Sequence, residues 1–125
     1  MGRFDQHAWV ALETHDRRLL GAAYYAPEPF GDRVWNLYFI AVAADQHGLG
    51  AGSSLVSHVE DDLRGRGEEV ARVLIVETSS LDGYEQARSF YRRHGFEEEA
   101  RVREFYGPGD HKVVFWKLLV SEPTT

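Results

Sequence analysis

Between positions 8 and 120 apolar side chains recur with two different periods, and each change of period marks an element boundary. Segments 8–13 and 19–26 read as strands, joined by the polar stretch Thr14, His15, Asp16 and Arg17 as a hairpin connection. Pro27, Pro29 and Gly31 then break the chain. The run 34–42, VWNLYFIAV, is almost continuously apolar, as expected of a central strand covered on both faces. After it Ala51, Leu55, Val56, Val59 and Leu63 repeat at helical spacing, while Ser57, His58, Glu60, Asp61 and Arg64 fall mostly on the other side. A helix is therefore expected from near Gly50 to about Gly65 or Gly67, with the acidic group Glu60, Asp61 and Asp62 facing solvent. A strand at 70–77, a helix at 84–94 ended by Gly95, and strands near 99–105 and 112–120 complete the pattern. Strands early and helices alternating later predict an α/β (α+β) domain built on a mixed sheet.

Composition narrows the class. With 125 residues and 43% hydrophobic content the chain is long enough for one core, and no linker or repeat divides it, so residues 1–125 are read as a single domain. No run approaches the roughly 18 consecutive apolar residues of a membrane span, no signal sequence is expected from the residues given, and Gln6 stands where a myristoylation signal needs Ser or Thr. The expected location is cytoplasmic, with no membrane partner. A net charge of −6 and the lack of a basic stripe argue against nucleic acid as a partner. The absence of cysteine excludes a thiolate nucleophile, an enzyme thioester and cysteine-ligated zinc. The six histidines, His7, His15, His47, His58, His94 and His111, form no His-x-x-x-His pair with a flanking acid, so no metal is expected. His58 and His94 are expected on a polar face or at a cap, and His111 in a turn.

The stretch 46–54, QHGLGAGSS, sits where a strand pattern gives way to a helical one. Gly48, Gly50 and Gly52 allow a tight turn, and unpaired amides at the helix start can face an anion such as a pyrophosphate. No lysine follows the glycines, which excludes the Walker pattern. Ser53 replaces the last glycine of the dinucleotide pattern, and the repeated strand-helix units of that fold are missing. His47 through Gly52 instead resembles the acyl-CoA loop of the GNAT N-acetyltransferase superfamily, Q/R-x-x-G-x-G/A, with His47 standing where Gln or Arg is usual. A second stretch, ARSFYRRHGF at 87–96, is similar to the later family helix A-x-x-F-Y-x-x-x-G-F, with Ala87, Phe90, Tyr91, Gly95 and Phe96 in register.

The resemblance implies a mixed, mostly antiparallel central sheet flanked by helices, and acetyl-CoA as donor co-substrate. The acceptor would be a small-molecule or peptide amine, attacking the thioester directly. In the family the pantetheine arm pairs with the central strand, here at Ile40, Ala41 and Val42. The phosphates would meet His47, Gly48, Leu49, Gly50, Ala51, Gly52 and Ser53, with Arg92 as the helix cation, Arg88 and Arg93 being alternatives. Tyr91 matches the tyrosine that serves the leaving thiolate. Glu77 is the first candidate for a general base, Glu28 and His111 are weaker ones, and Tyr106 could line the acceptor pocket. Family members usually begin with a further strand and helices that cover the acceptor site. Only about seven residues precede the first strand here, so a GNAT-like fold lacking some N-terminal elements, and a homodimer that restores the cover, are expected. The alternative is a non-catalytic acyl-CoA-binding regulatory or scaffolding module.

Overall fold

A computed structural model describes residues 8–120. Within them the chain runs β1 (Ala8–Glu13), β2 (Leu19–Pro27), β3 (Val34–Val42), α1 (Ala51–Gly65), β4 (Val73–Ser79), α2 (Glu85–Arg93), β5 (Glu97–Gly107) and β6 (Asp110–Leu118). The strands form one sheet in the order β1-β2-β3-β4-β6-β5. β3 and β4 run parallel, because α1 lies between them and carries the chain back to the same end of the sheet. The other neighbouring pairs are antiparallel. The mixed, mostly antiparallel sheet flanked by helices is thus the observed architecture. No helix among the described residues is long and apolar enough to cross a membrane.

One core holds both helices. Tyr25 from β2, Trp35 and Leu37 from β3, Leu74 and Val76 from β4, and Val113 and Phe115 from β6 meet Leu55, Val56, Val59 and Leu63 of α1 and Tyr91 of α2. Full burial of such side chains contributes roughly 2 kcal/mol each. The core's polar atoms are paired: the Trp35 indole N–H donates to the Val70 carbonyl at 3.0 Å and the Tyr25 hydroxyl to Asp62 at 2.6 Å.

The expectation of a solvent-facing acidic group on α1 is corrected here. Glu60 is not solvent-facing but only 6% exposed. Lys117 of β6 donates to its two carboxylate oxygens at 2.9 and 3.0 Å, and Arg64 lies at 3.2 Å. Asp62 likewise accepts from Tyr25 and Arg66. Glu60 borders the apolar stripe next to Val59, and its lysine comes from 57 positions away, beyond the reach of any local pattern.

β3 is not covered on both faces throughout. Trp35, Asn36 and Leu37 are buried, but Tyr38 and Phe39 are 49% and 45% exposed. Tyr24 pairs with Phe39 and Tyr25 with Leu37, so Tyr38 is an inserted residue that shifts the alternation. On the face that this exposes, the rings of Trp9, Tyr24 and Phe39 lie side by side, with Trp9 at 4.7 and 5.9 Å from the other two. β4 starts at Val73 rather than 70, because the N–H groups of Val70 and Ala71 turn back to the Gly67 carbonyl. His111 lies in β6, not in the turn.

Candidate active site

The site is opened by the parting of β3 from β4. Their parallel register holds only at Val34, Trp35 and Asn36 against Val73, Leu74 and Ile75. Beyond those pairs the second half of β3 has no strand partner on that side, so its backbone N–H and C=O groups there are left available, apart from the Val42 carbonyl, which His47 engages. A cleft of about 540 Å³ lies there. Ile40 and Val42 form its strand wall, Gly48, Gly50, Gly52 and Ser53 one end, and Ala87, Phe90, Tyr91 and Arg93 of α2 the opposite side.

The glycine loop is shaped for an anion. Gly48 and Gly50 have φ of 79° and 89°, the left-handed region, which an L-residue enters at a cost of roughly 1–2 kcal/mol. Gly50 caps α1 without a side-chain hydrogen bond. The amides of the first turn and the positive end of a 15-residue helix therefore stand free for a ligand. A Cβ on Gly52 would lie 3.3 Å from the Phe90 ring, so the missing side chain is what lets α1 and α2 close on one another. The His47 Nε2–H donates to the Val42 carbonyl at 3.2 Å, tying the loop to the strand end. Ser53 Oγ sits 2.9 Å from His94 Nε2.

Tyr91 is 6% exposed, with its ring packed on Phe90, Phe96 and Phe115. Among the described residues its hydroxyl has no hydrogen-bond partner, yet no fully buried side-chain oxygen is left unsatisfied, so that hydroxyl opens into the cleft. Burial pushes the phenol up to about 12, which keeps it protonated and a donor.

Glu77 faces away from the helices, since its β4 neighbour Val76 points into the core. Its carboxylate is 3.5 Å from Lys112 Nζ. Tyr38 stands on one side of it: burial, a hydrogen bond to Glu28, and the charges of Glu28 and Glu77 push this phenol up to about 12. Tyr106 stands on the other, raised by burial and then by Glu77, Asp110 and Tyr84. Glu28 accepts from Asn36 at 2.7 Å and Tyr38 at 3.0 Å.

Of the residues singled out from sequence, Ile40, Val42, His47, Gly48, Gly50, Gly52, Ser53 and Tyr91 converge on the cleft. Ala41 is an exposed strand residue, Leu49 points to solvent at the loop tip, and Ala51 is buried in the first turn of α1. Arg92 turns away to Glu98 at 2.8 Å, and Arg88 holds the carbonyls of Ser79 and Leu81. Arg93 is the arginine on the cleft. Gln46, Gln86, Ala87 and Phe90 also line it. The helical pattern of 87–94 put Ala87 and Phe90 on the same face as Tyr91, which was signal enough to find them. Glu77 lies on the other face of the sheet, at the open end of the gap.

An acetyltransferase (GNAT) domain model matches residues 4–98. No curated protein is similar enough in sequence to match. A crystal structure from Desulfovibrio desulfuricans, described as belonging to the GNAT acetyltransferases, is 34% identical, with a TM-score of 0.84, over 92% of this chain and 71% of its own. Two less similar structures share the fold. An aminoglycoside 6'-N-acetyltransferase complexed with coenzyme A is 18% identical, with a TM-score of 0.80 over 95% of this chain and 76% of that one. The ribosomal-protein-S18-alanine N-acetyltransferase of Escherichia coli is 20% identical, with a TM-score of 0.78 over 95% and 73%. The family model runs from before β1 to the start of β5, and a relative one third identical covers nearly the whole chain, so this protein belongs to the GNAT acetyltransferase family.

Proposed function

We propose that the cleft binds acetyl-CoA and that the enzyme passes its acetyl group directly to an amine. One observation carries this reading: the free edge of β3 and the uncapped start of α1 meet in a single cleft, which suits a ligand with an amide-bearing arm and a pyrophosphate. The arm would lie along Ile40, Ala41 and Val42 as an added strand. The pyrophosphate would take the amides of Gly48 and of Gly50 to Ser53 and the Ser53 hydroxyl, with Arg93 beside it, the Leu49 N–H being held by the Gln46 carbonyl.

The chain's own groups divide the chemistry. The amine nitrogen attacks the thioester carbon, the carbon–sulfur bond breaks, and a proton must leave the nitrogen. A backbone N–H near Val42 faces the developing oxyanion. Tyr91 donates a hydrogen bond to the departing thiolate. With a phenol near 12 and a thiol near 8.5, full proton transfer is uphill by roughly 5 kcal/mol, so the hydrogen bond rather than the transfer does the stabilising. An alkyl ammonium with a pKa near 10.4 is about 4.6 kcal/mol away from its neutral form at pH 7. Glu77, directly or through water, is the base that removes its proton. The acceptor approaches from the face of Glu77, Tyr38 and Tyr106, while the cofactor fills the helix side. The aromatic ladder of Trp9, Tyr24 and Phe39 borders that approach, and its exposure supports a homodimer in which a second copy covers it.

The test is release of free CoA with an amine panel, in wild type and Tyr91→Phe. The variant should lose about a hundredfold in kcat and keep its acetyl-CoA affinity within about twofold. An unchanged rate at saturating substrates would remove Tyr91 from the mechanism. The non-catalytic reading, an acyl-CoA-binding module, is favoured by the bond from His47 to the Val42 carbonyl, one of the groups the arm would use. It predicts binding without turnover across the whole panel.

A further inference from the structure

The hairpin of β5 and β6 is interrupted beside Glu77. Val102 pairs with Lys112 and Gly107 with Asp110, so four residues, Arg103, Glu104, Phe105 and Tyr106, stand opposite His111 alone. Such a bulge needs something to hold it, and Glu104 in the left-handed region at φ 54° adds strain of about 1–2 kcal/mol. The imidazole of His111 supplies the tie: the Glu104 N–H donates to its Nδ1 at 2.9 Å, so Nδ1 carries no proton. The His111 backbone is itself pinned to the end of β4. Its N–H donates to Ser80 Oγ at 2.9 Å and its carbonyl accepts from the Ser80 N–H at 2.9 Å.

The bulge turns two rings toward the open end of the gap. Phe105 lies under the Lys112 ammonium at 3.9 Å, the same ammonium that faces Glu77. Tyr106 packs edge-on against Phe105 with ring centres 5.1 Å apart. Both rings remain about half exposed, and Tyr106 senses Glu77 from the side opposite Tyr38.

We propose that His111 is a positioning residue for the amine acceptor, holding the 103–106 bulge so that Phe105 and Tyr106 form the acceptor wall facing Tyr38 across Glu77. The inference rests on the acetyl-transfer reading above. It replaces the weaker role of general base considered for His111 from sequence, because the nitrogen that would take a proton is already engaged by Glu104. Its consequence is that His111 governs acceptor binding and leaves cofactor binding alone, since it lies outside the residues lining the cleft.

The experiment measures CoA release with n-butylamine and with spermidine, and acetyl-CoA affinity by calorimetry, for wild type, His111→Ala, His111→Asn, Tyr106→Ala and the double variant His111→Ala with Tyr106→Ala. Losing the tie should raise KM for the amine about fivefold, the scale of one hydrogen bond, with acetyl-CoA affinity unchanged. Asn places an amide oxygen where Nδ1 stood, so His111→Asn should recover wild-type KM within about twofold. If the histidine acts through Tyr106, the double variant should be no worse than Tyr106→Ala alone. Effects that multiply, a His111→Asn variant as impaired as His111→Ala, or an equal loss of acetyl-CoA affinity would overturn the proposal. If His111→Ala does not fold, the other variants decide it: His111→Asn must keep the amine KM within about twofold and Tyr106→Ala must raise it with acetyl-CoA affinity unchanged, and failure of either overturns the proposal. No CoA release by wild type with either amine would instead overturn the acetyl-transfer reading itself.

Discussion

At the scale of single residues, position in the fold separates side chains that look alike in the sequence. Arg92 and Arg93 are adjacent, yet a helix turns by about 100° per residue, so one reaches Glu98 and the other the cleft. Which of them borders the cleft depends on how α2 is rotated against α1, where Gly52 leaves room for the Phe90 ring. Tyr91, in contrast, was singled out by its match to the family helix, and the structure places it on the cleft. His94 shows a further consequence of burial. Desolvation lowers its pKa below the ordinary 6.5, against an opposing pull from Glu60 and with help from Lys117 and Arg93. The charged form is then disfavoured in the folded state. Stability from this residue is full above about pH 6.5 and is lost as pH falls through the folded value. Urea midpoints measured at pH 7.5 and 5.5 should therefore drop more for wild type than for His94→Gln; equal drops would show that His94 carries none of the dependence.

At the scale of elements, the strands and helices followed from periodicity, whereas the ties between them did not. Lys117 joins β6 to α1 through Glu60 and to the end of α2 through the His94 carbonyl, and so fixes the two helices that flank the cleft. The apolar spacing of α1 contains no trace of this, since the partner is distant in sequence. Replacing Lys117 by Met keeps the bulk but leaves the Glu60 carboxylate buried with only Arg64 for compensation. That should cost about 3 kcal/mol in chemical denaturation. A loss below about 0.5 kcal/mol would place the pair among exposed ones that contribute little. The bulge at 103–106 was hidden for a similar reason: the alternation of Ala100 and Val102 stops at Arg103 and Glu104, but only the register against β6 reveals that four residues oppose one.

At the scale of the whole molecule, the resemblance of two stretches, 47–52 and 87–96, to family motifs indicated the family, and the order of elements, the sheet and the family match agree with it. The parting of β3 and β4 was not readable, because VWNLYFIAV looks like a strand buried along its full length. Its aromatic residues are instead divided between the core and an uncovered face. Trp9, 68% exposed, stands on that face from the edge strand β1. If a second copy covers it, light scattering at about 20 µM should give twice the chain mass, and Trp9→Glu should give a monomer. A monomeric wild type at that concentration would assign the face to something other than self-association.

Everything proposed for this enzyme depends on the cleft being an acyl-CoA site. Calorimetric titration with acetyl-CoA, CoA, ATP and NAD tests that most directly, with Gly50→Ala as the comparison because its left-handed φ of 89° shapes the loop. Saturable binding of acetyl-CoA and CoA at one site per chain, none of ATP or NAD, and at least about tenfold weaker binding by Gly50→Ala is the predicted result. Binding of ATP or NAD in preference to CoA, or CoA affinity untouched by Gly50→Ala, would contradict it.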